Sequence, residues 1–363
     1  MLKILIVDDS ALMRRHLTQL FEAEGGFIIH HARNGNEAIV ENREFKPDVV
    51  TLDINMPELD GISALSLIMA ERPVPVIMVS SLTTKGALAT FEALNLGAVD
   101  FVAKPGGTIS MSVDDIATTL IDKVKAAAKA RLRGSQSTKQ ASAPLKKAIP
   151  TPARPQAPAP APGKKNGKAI GLRDKVVIIG VSTGGPRTLE DILPALPASL
   201  NAAIVVAQHM PASFTASLAN RLDRACKVKV QEVSKATPLE TGTVYIGRGS
   251  ADITLVKRNN QLYAQMKPED SEFLWHPSVE LLGRSALRNC APDKVLAIML
   301  TGMGHDGSKA FSELHRRGAP TIAESEETAI VFGMPQELIN LNGAGKVLPA
   351  QAIANEITRF AGA

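Results

Sequence analysis

Residues 1–10 read MLKILIVDDS, an apolar run that stops on two adjacent carboxylates, Asp8 and Asp9. An apolar segment of that length without polar alternation reads as a strand, Lys3–Val7, buried on both faces of a parallel sheet. It is too short for the core of a signal peptide and lacks a small-residue cleavage site. Working outward, the same kind of run recurs at Phe27–His31, Asp48–Leu52, Pro75–Val79 and Ala98–Val102. Between and after these runs lie amphipathic helix patterns at Ala11–Glu24, Asn36–Glu44, Ile62–Ala70, Gly86–Asn95 and Asp114–Leu132. Five such βα units predict a flavodoxin-like α/β domain, strand order 2-1-3-4-5, with helices on both faces.

In a doubly wound sheet the ligand crevice lies beyond the carboxyl ends of the strands. Asp8 and Asp9 end the first strand and Asp53 the third, which are neighbours in that order, so three carboxylates are expected to converge. Such a group repels itself unless a hard cation is bound, and Mg²⁺ suits oxygen ligands. Ser80 ends the fourth strand and Lys104 follows the fifth, where a hydroxyl and an ammonium could reach a phosphoryl group on Asp53. Any one of these residues alone reads more naturally as a turn or cap. Five of them at the ends of four strands favour a site.

The chain then changes character. Between Gly134 and Gly167 there are seven prolines, with one Leu and one Ile as the only large apolar residues. Such a stretch cannot bury enough surface to offset the entropy of ordering, so residues 133–169 read as a flexible Pro/Ala/Lys-rich linker. It divides a domain at 1–132 from a second at 170–363. Thirteen Lys or Arg and no acidic residue lie from Lys123 to Arg173; subtracting thirteen from the chain's net +5 leaves −8. The basic character therefore belongs to the linker, and no nucleic-acid partner is expected. Two cysteines, Cys226 and Cys290, provide no disulfide framework and point to a reducing, cytoplasmic compartment. No stretch approaches the roughly 20 apolar residues that span a bilayer, so no direct membrane insertion is expected.

Beyond the linker, Val176–Val181, Ala203–Ala207 and Val295–Leu300 read as buried parallel strands leading into helices. Val228–Val233, Thr243–Ile246, and Ile253–Val256 with Gln261–Met266 read as shorter strands, some in hairpins. The expectation is a larger doubly wound α/β domain with an antiparallel portion. Val176–Gly185 reads VVIIGVSTGG, which places Ser182 in a GxSxG turn between a strand and a helix. The same strand–turn–helix physics serves phosphate- and dinucleotide-binding turns. Against that, Ser182 stands where the central glycine of GxGxxG would be, and no P-loop lysine follows. A nucleotide- or nucleic-acid-binding output domain is thus the alternative. His209 follows the second of these strands, and the third runs into Thr301-Gly302-Met303-Gly304-His305-Asp306-Gly307. Ser182, His209 and Asp306 could meet at one sheet edge as nucleophile, base and orienting carboxylate. His305 competes as base, and a His209–His305–Asp306 metal site is a further option.

VDDS (Val7–Ser10), DINMP (Asp53–Pro57), VSS (Val79–Ser81) and FVAKP (Phe101–Pro105) resemble the receiver domain of two-component response regulators. That resemblance implies phosphorylation of Asp53 by a chemotaxis histidine kinase. It also implies Mg²⁺ held by Asp8, Asp9, Asp53 and the Asn55 carbonyl, and rearrangement of Ser80 and Phe101. GVSTGGP, QHMP, TGMGHDG and VFGMP (Val331–Pro335) resemble the chemotaxis protein-glutamate methylesterases, the CheB family. That likeness implies a Ser182–His209–Asp306 triad with the Met303 amide at the oxyanion and no cofactor for the esterase. It further implies demethylation of glutamate γ-methyl esters, and in some members glutamine deamidation, on chemoreceptor cytoplasmic helices. Two departures stand out: Tyr245-Ile246-Gly247-Arg248-Gly249 replaces the usual YIAPG and lacks the His that follows it, and Glu280 replaces an Asp after PSV.

Overall fold

The computed structural model describes residues 1–80, 83–104, 113–130 and 167–362. Most of the linker, Pro105, Ser81 and the end of the helix read at Asp114–Leu132 lie outside the described residues.

The first half is built from β1 (Leu2–Val7), α1 (Ala11–Glu24), β2 (Phe27–Ala32), α2 (Gly35–Glu44), β3 (Val49–Asp53), α3 (Gly61–Glu71), β4 (Val76–Ser80), α4 (Thr84–Leu96), β5 (Asp100–Ala103) and α5 (Val113–Ala127). All its strand pairs are parallel and their order is β2-β1-β3-β4-β5, the flavodoxin-like order. Local chemistry fixes the helix starts: Ser10, Asn34, Asp60 and Thr83 each turn a side-chain oxygen onto an amide of the first turn.

The second half begins with β6 (Lys175–Val181), α6 (Gly185–Ile192), β7 (Ala202–Gln208), α7 (Ala212–Ala225), β8 (Lys229–Val233), β9 (Thr237–Pro238), β10 (Thr243–Gly247), β11 (Asp252–Arg258) and β12 (Gln261–Lys267). It continues through α8 (Val279–Asn289), β13 (Val295–Met299), α9 (Ser308–Arg316), β14 (Thr321–Glu324), α10 (Met334–Asn340), β15 (Lys346–Leu348) and α11 (Ala350–Ala361). Seven strands pair in the order β15-β14-β13-β6-β7-β10-β8. From β6 the chain goes to β7 on one side and later to β13, β14 and β15 on the other, which makes the gap between β6 and β13 a topological switch point. Of the shorter strands, β8 and β10 pair parallel within this sheet, and only β11–β12 forms a hairpin, extended by β9.

One apolar cluster runs from the first half into the second. Phe91 on α4 and Phe101 on β5 both meet Phe214 on α7, with ring centroids 6.5 and 4.4 Å apart, and all three side chains are buried. Among the described residues no helix is long and apolar enough to cross a membrane.

Candidate active site

The crevice at the switch point collects the catalytic candidates. β6 ends at Val181 and the chain turns through Ser182, Thr183 and Gly184 into α6. Gly184 sits at φ 80°, a left-handed conformation that costs glycine little, and this lets the chain reverse directly from strand to helix. The neighbouring loop after β13 comes so close that a Cβ on Gly302 would lie 2.7 Å from the Ser182 Cβ. The Ser182 amide donates to the Thr301 carbonyl at 3.0 Å, which ties the two loops together.

His209 follows β7, and its amide donates to the Val181 carbonyl at 3.1 Å. Its Nε2 lies 2.8 Å from Asp306 Oδ2, and both side chains are more than nine-tenths buried. The other ring nitrogen, Nδ1, is buried and has no hydrogen-bond partner among the described residues. Nor does the Ser182 hydroxyl bond to the imidazole here, although the two residues stand on adjacent strands of one sheet edge. Asp306 is held at the N-terminus of α8. It accepts the Val279 amide at 2.7 Å, the Glu280 amide at 2.9 Å and the Ser278 hydroxyl at 3.2 Å. Burial alone would raise the Asp306 carboxyl, but the His209 hydrogen bond and charge, with the two amides, hold it below the ordinary carboxylate range.

His305, the rival base, is exposed and approaches the edge of Trp275 at 5.9 Å. The loop therefore turns Asp306 inward and His305 outward. Met303 is half-buried beside Gly302, and no acceptor among the described residues pairs with its amide.

Three contributors escaped sequence reading. Gln208 Nε2 donates to both the Ser182 carbonyl at 2.9 Å and the His209 carbonyl at 3.1 Å, locking the two loops in register. In the sequence it is only the polar residue after an apolar strand. Glu324 accepts the Thr301 amide from inside the core. Trp275 lies parallel to the His209 ring. The Glu280 departure has a local use: its carboxylate accepts the Ala310 amide at 2.9 Å and Arg284 Nε at 3.0 Å, capping α9.

The receiver-side cluster forms as expected. Ligand oxygens of Asp8, Asp9 and Asp53 lie within 4.8 Å of one another. Lys104 Nζ is 2.7 Å from Asp53 Oδ2 and 3.0 Å from Asp8 Oδ2. These contacts are ionic more than directional, since neither oxygen has a hydrogen-bond partner of good geometry. Burial dominates at Asp53 and raises its carboxyl above the usual range despite Lys104, with the Asp8 charge adding to the rise. Two buried carboxylate oxygens so placed fit a hard cation with oxygen ligands. Asn55 is exposed, with its amide 3.4 Å from Asp53 Oδ1. Ser80 Oγ donates to the Gly86 carbonyl on α4 at 3.4 Å, and Phe101 turns to Phe214 in the second half.

The profile described as CheB methylesterase matches residues 177–357, and that of the response regulator receiver domain matches residues 4–112. A protein-glutamate methylesterase/protein-glutamine glutaminase of Rhodospirillum rubrum is 49% identical over 99% of this chain and 96% of its own. The chain belongs to the CheB methylesterase family. A second relative of that name, from Carboxydothermus hydrogenoformans, is 44% identical over 99% of both chains. The Thermotoga maritima CheB methylesterase catalytic domain superposes with a TM-score of 0.50 at 38% identity, covering 52% of this chain and 99% of that one. As a family member the chain carries an α/β receiver and an α/β methylesterase domain.

Proposed function

We propose that this methylesterase is a phosphorylation-activated serine hydrolase. It cleaves glutamate γ-methyl esters, and deamidates glutamines, on the cytoplasmic helices of chemoreceptors during chemotaxis adaptation. The observation that carries the reading is the buried His209–Asp306 pair at 2.8 Å in the crevice that also holds Ser182. Burial would raise the Asp306 carboxyl, but the His209 hydrogen bond and charge, with the α8 amides adding, hold it below the ordinary carboxylate range. With Nε2 committed to Asp306, Nδ1 is the nitrogen free to take the Ser182 proton as Oγ attacks the ester carbonyl. Catalytic hydrogen bonds often tighten only once substrate binds. The Met303 amide is the donor for the oxyanion. The proton passes to the leaving methoxide, methanol departs, and water activated by His209 releases the glutamate.

The control runs through Asp53, with a kinase as phosphodonor. Asp8, Asp9, Asp53 and the Asn55 carbonyl would hold Mg²⁺, which supplies positive charge to offset that of the phosphoryl group. Lys104 would hold the phosphoryl oxygens, and Ser80 and Phe101 would carry the signal to α4 and Phe214. Two contacts support occlusion of the crevice by the receiver: the Phe101–Phe214 ring contact and a 2.6 Å hydrogen bond from Thr183, next to Ser182, to Asp100. The domain limits proposed are 1–132 and 170–363, tethered by 133–169, in a cytoplasmic protein.

The test is methanol release from methylated receptor membranes by the full-length protein, with and without Mg²⁺ and a small phosphodonor. Release should rise with the phosphodonor and vanish in Ser182→Ala. Equal release by wild type and mutant would sink the esterase reading.

A further inference from the structure

Trp275 is the only tryptophan in the chain. It lies in the segment between β12 and α8, and its indole faces the His209 imidazole with planes 15° apart and centroids 5.8 Å apart. The far rim of the indole is packed against the loop after β13. A Cβ on Gly304 would come within 2.8 Å of its Cη2, and the His305 ring meets it edge-on at 5.9 Å. The backbone just beyond is anchored by Asp252, which is buried. Its Oδ1 accepts His276 Nδ1 at 2.9 Å and the Ser278 amide at 2.7 Å. The indole is thus a fixed wall rather than a loose flap.

Asp306 by itself leaves the imidazole incompletely defined. One hydrogen bond at Nε2 fixes a point on the ring, yet the ring can still tilt about the Nε2···Oδ2 line, swinging Nδ1 out of its plane. A flat wall along one face of the ring removes that freedom. When the ring takes up a proton it becomes a cation beside an aromatic face, within the roughly 6 Å over which such an attraction operates.

We propose that Trp275 is a positioning residue for His209. It holds the ring in the plane that keeps Nε2 on Asp306 while Nδ1 serves the hydroxyl, and it favours the imidazolium formed as the serine proton transfers. This rests on the reading of His209 as the base.

The experiment uses the full-length protein with phosphodonor and compares Trp275→Leu with Trp275→Phe. The Leu variant should lose about tenfold in kcat, since small misplacements of a base are costly, while its KM for methylated receptor stays near wild type. The Phe variant, which keeps a flat π-face, should recover most of that loss. A purely structural wall would lower the melting temperature or raise KM without sparing the Phe variant. Wild-type kcat in Trp275→Leu, or a Trp275→Phe variant no better than Trp275→Leu, would overturn the proposal. His209→Gln separates the two readings: if it keeps full methanol release, the reading of His209 as base falls, whatever the Trp275 variants do.

Discussion

Two buried carboxylates, Asp53 and Asp306, sit in similar places and behave in opposite ways. Asp53 ends a parallel strand and Asp306 lies in the loop after another, and both are almost wholly removed from solvent. Each has one side-chain nitrogen within 3 Å, Lys104 Nζ at 2.7 Å and His209 Nε2 at 2.8 Å. Yet the Asp53 carboxyl is pushed up and the Asp306 carboxyl is held down. The difference lies in the remaining lone pairs. Asp306 adds to its His209 contact two amides from the first turn of α8, and together these overcome burial; a hydroxyl also reaches it. Asp53 has one long amide contact, at 3.4 Å, and a second carboxylate beside it. The esterase carboxylate is thus complete as folded. The receiver carboxylate is left short of positive charge, which suits a site whose partner arrives and leaves.

The largest expected effect comes from breaking the complete site. Asp306→Asn keeps the shape but removes the charge that orients the imidazole and stabilises its cation. A loss of about 10³- to 10⁴-fold in kcat is expected, with KM little changed, measured as methanol release. The same variant sharpens the pH contrast. A carboxyl held low in the fold contributes stability above its unfolded pKa, and that contribution is lost as pH falls through its folded value. Acid unfolding of Asp306→Asn should lack that component.

Next in size is Asp53→Asn. It should abolish the rise in methanol release on adding phosphodonor while leaving unstimulated release at the wild-type level. Its pH signature should be the reverse of the first. A carboxyl raised in the fold contributes stability below its unfolded pKa and loses it as pH rises through its folded value. The variant should therefore be relieved of a penalty at neutral pH, and its melting temperature there should be equal to or above wild type. A lower melting temperature at pH 7 would mean that the Lys104 contacts outweigh burial, and the comparison would fail.

The legibility of these two sites in the sequence differed for a physical reason. Strand and helix periodicity is local, so the chain ends of α1 at Ala11 and Glu24, and the run of Asp8, Asp9 and Asp53 at strand ends, could be read directly. Pairing partners are not local. Val228–Val233 and Thr243–Ile246 carry the same apolar pattern whether they lie in a hairpin or, as they do, side by side in the parallel sheet. His305 and Asp306 are adjacent in sequence, and only the course of the loop sends one out and the other in. Gln208 and Trp275 acquire roles only when loops distant in sequence meet, so no spacing within either segment marks them.

A third pair sets the lower end of the scale. Asp252 and His276 repeat the carboxylate–imidazole contact at 2.9 Å, and Asp252 likewise accepts a backbone amide at the start of α8, from Ser278. The pair lies next to the catalytic one but has no serine to serve, so its worth should appear as stability rather than rate. Burial alone would lower the His276 pKa, but the Asp252 hydrogen bond and charge, with weaker contributions from Glu269 and Asp306, raise it. That contribution is fully present below the unfolded value of about 6.5 and fades as pH rises through the folded value. His276→Gln should therefore cost about 1.5–3 kcal/mol in denaturant unfolding at pH 6, the range for a hydrogen bond to a charged partner. The gap from wild type should narrow steadily toward pH 9. A gap that is constant with pH would mean that His276 acts through packing alone, and that only the carboxylate in the crevice makes use of its imidazole's charge.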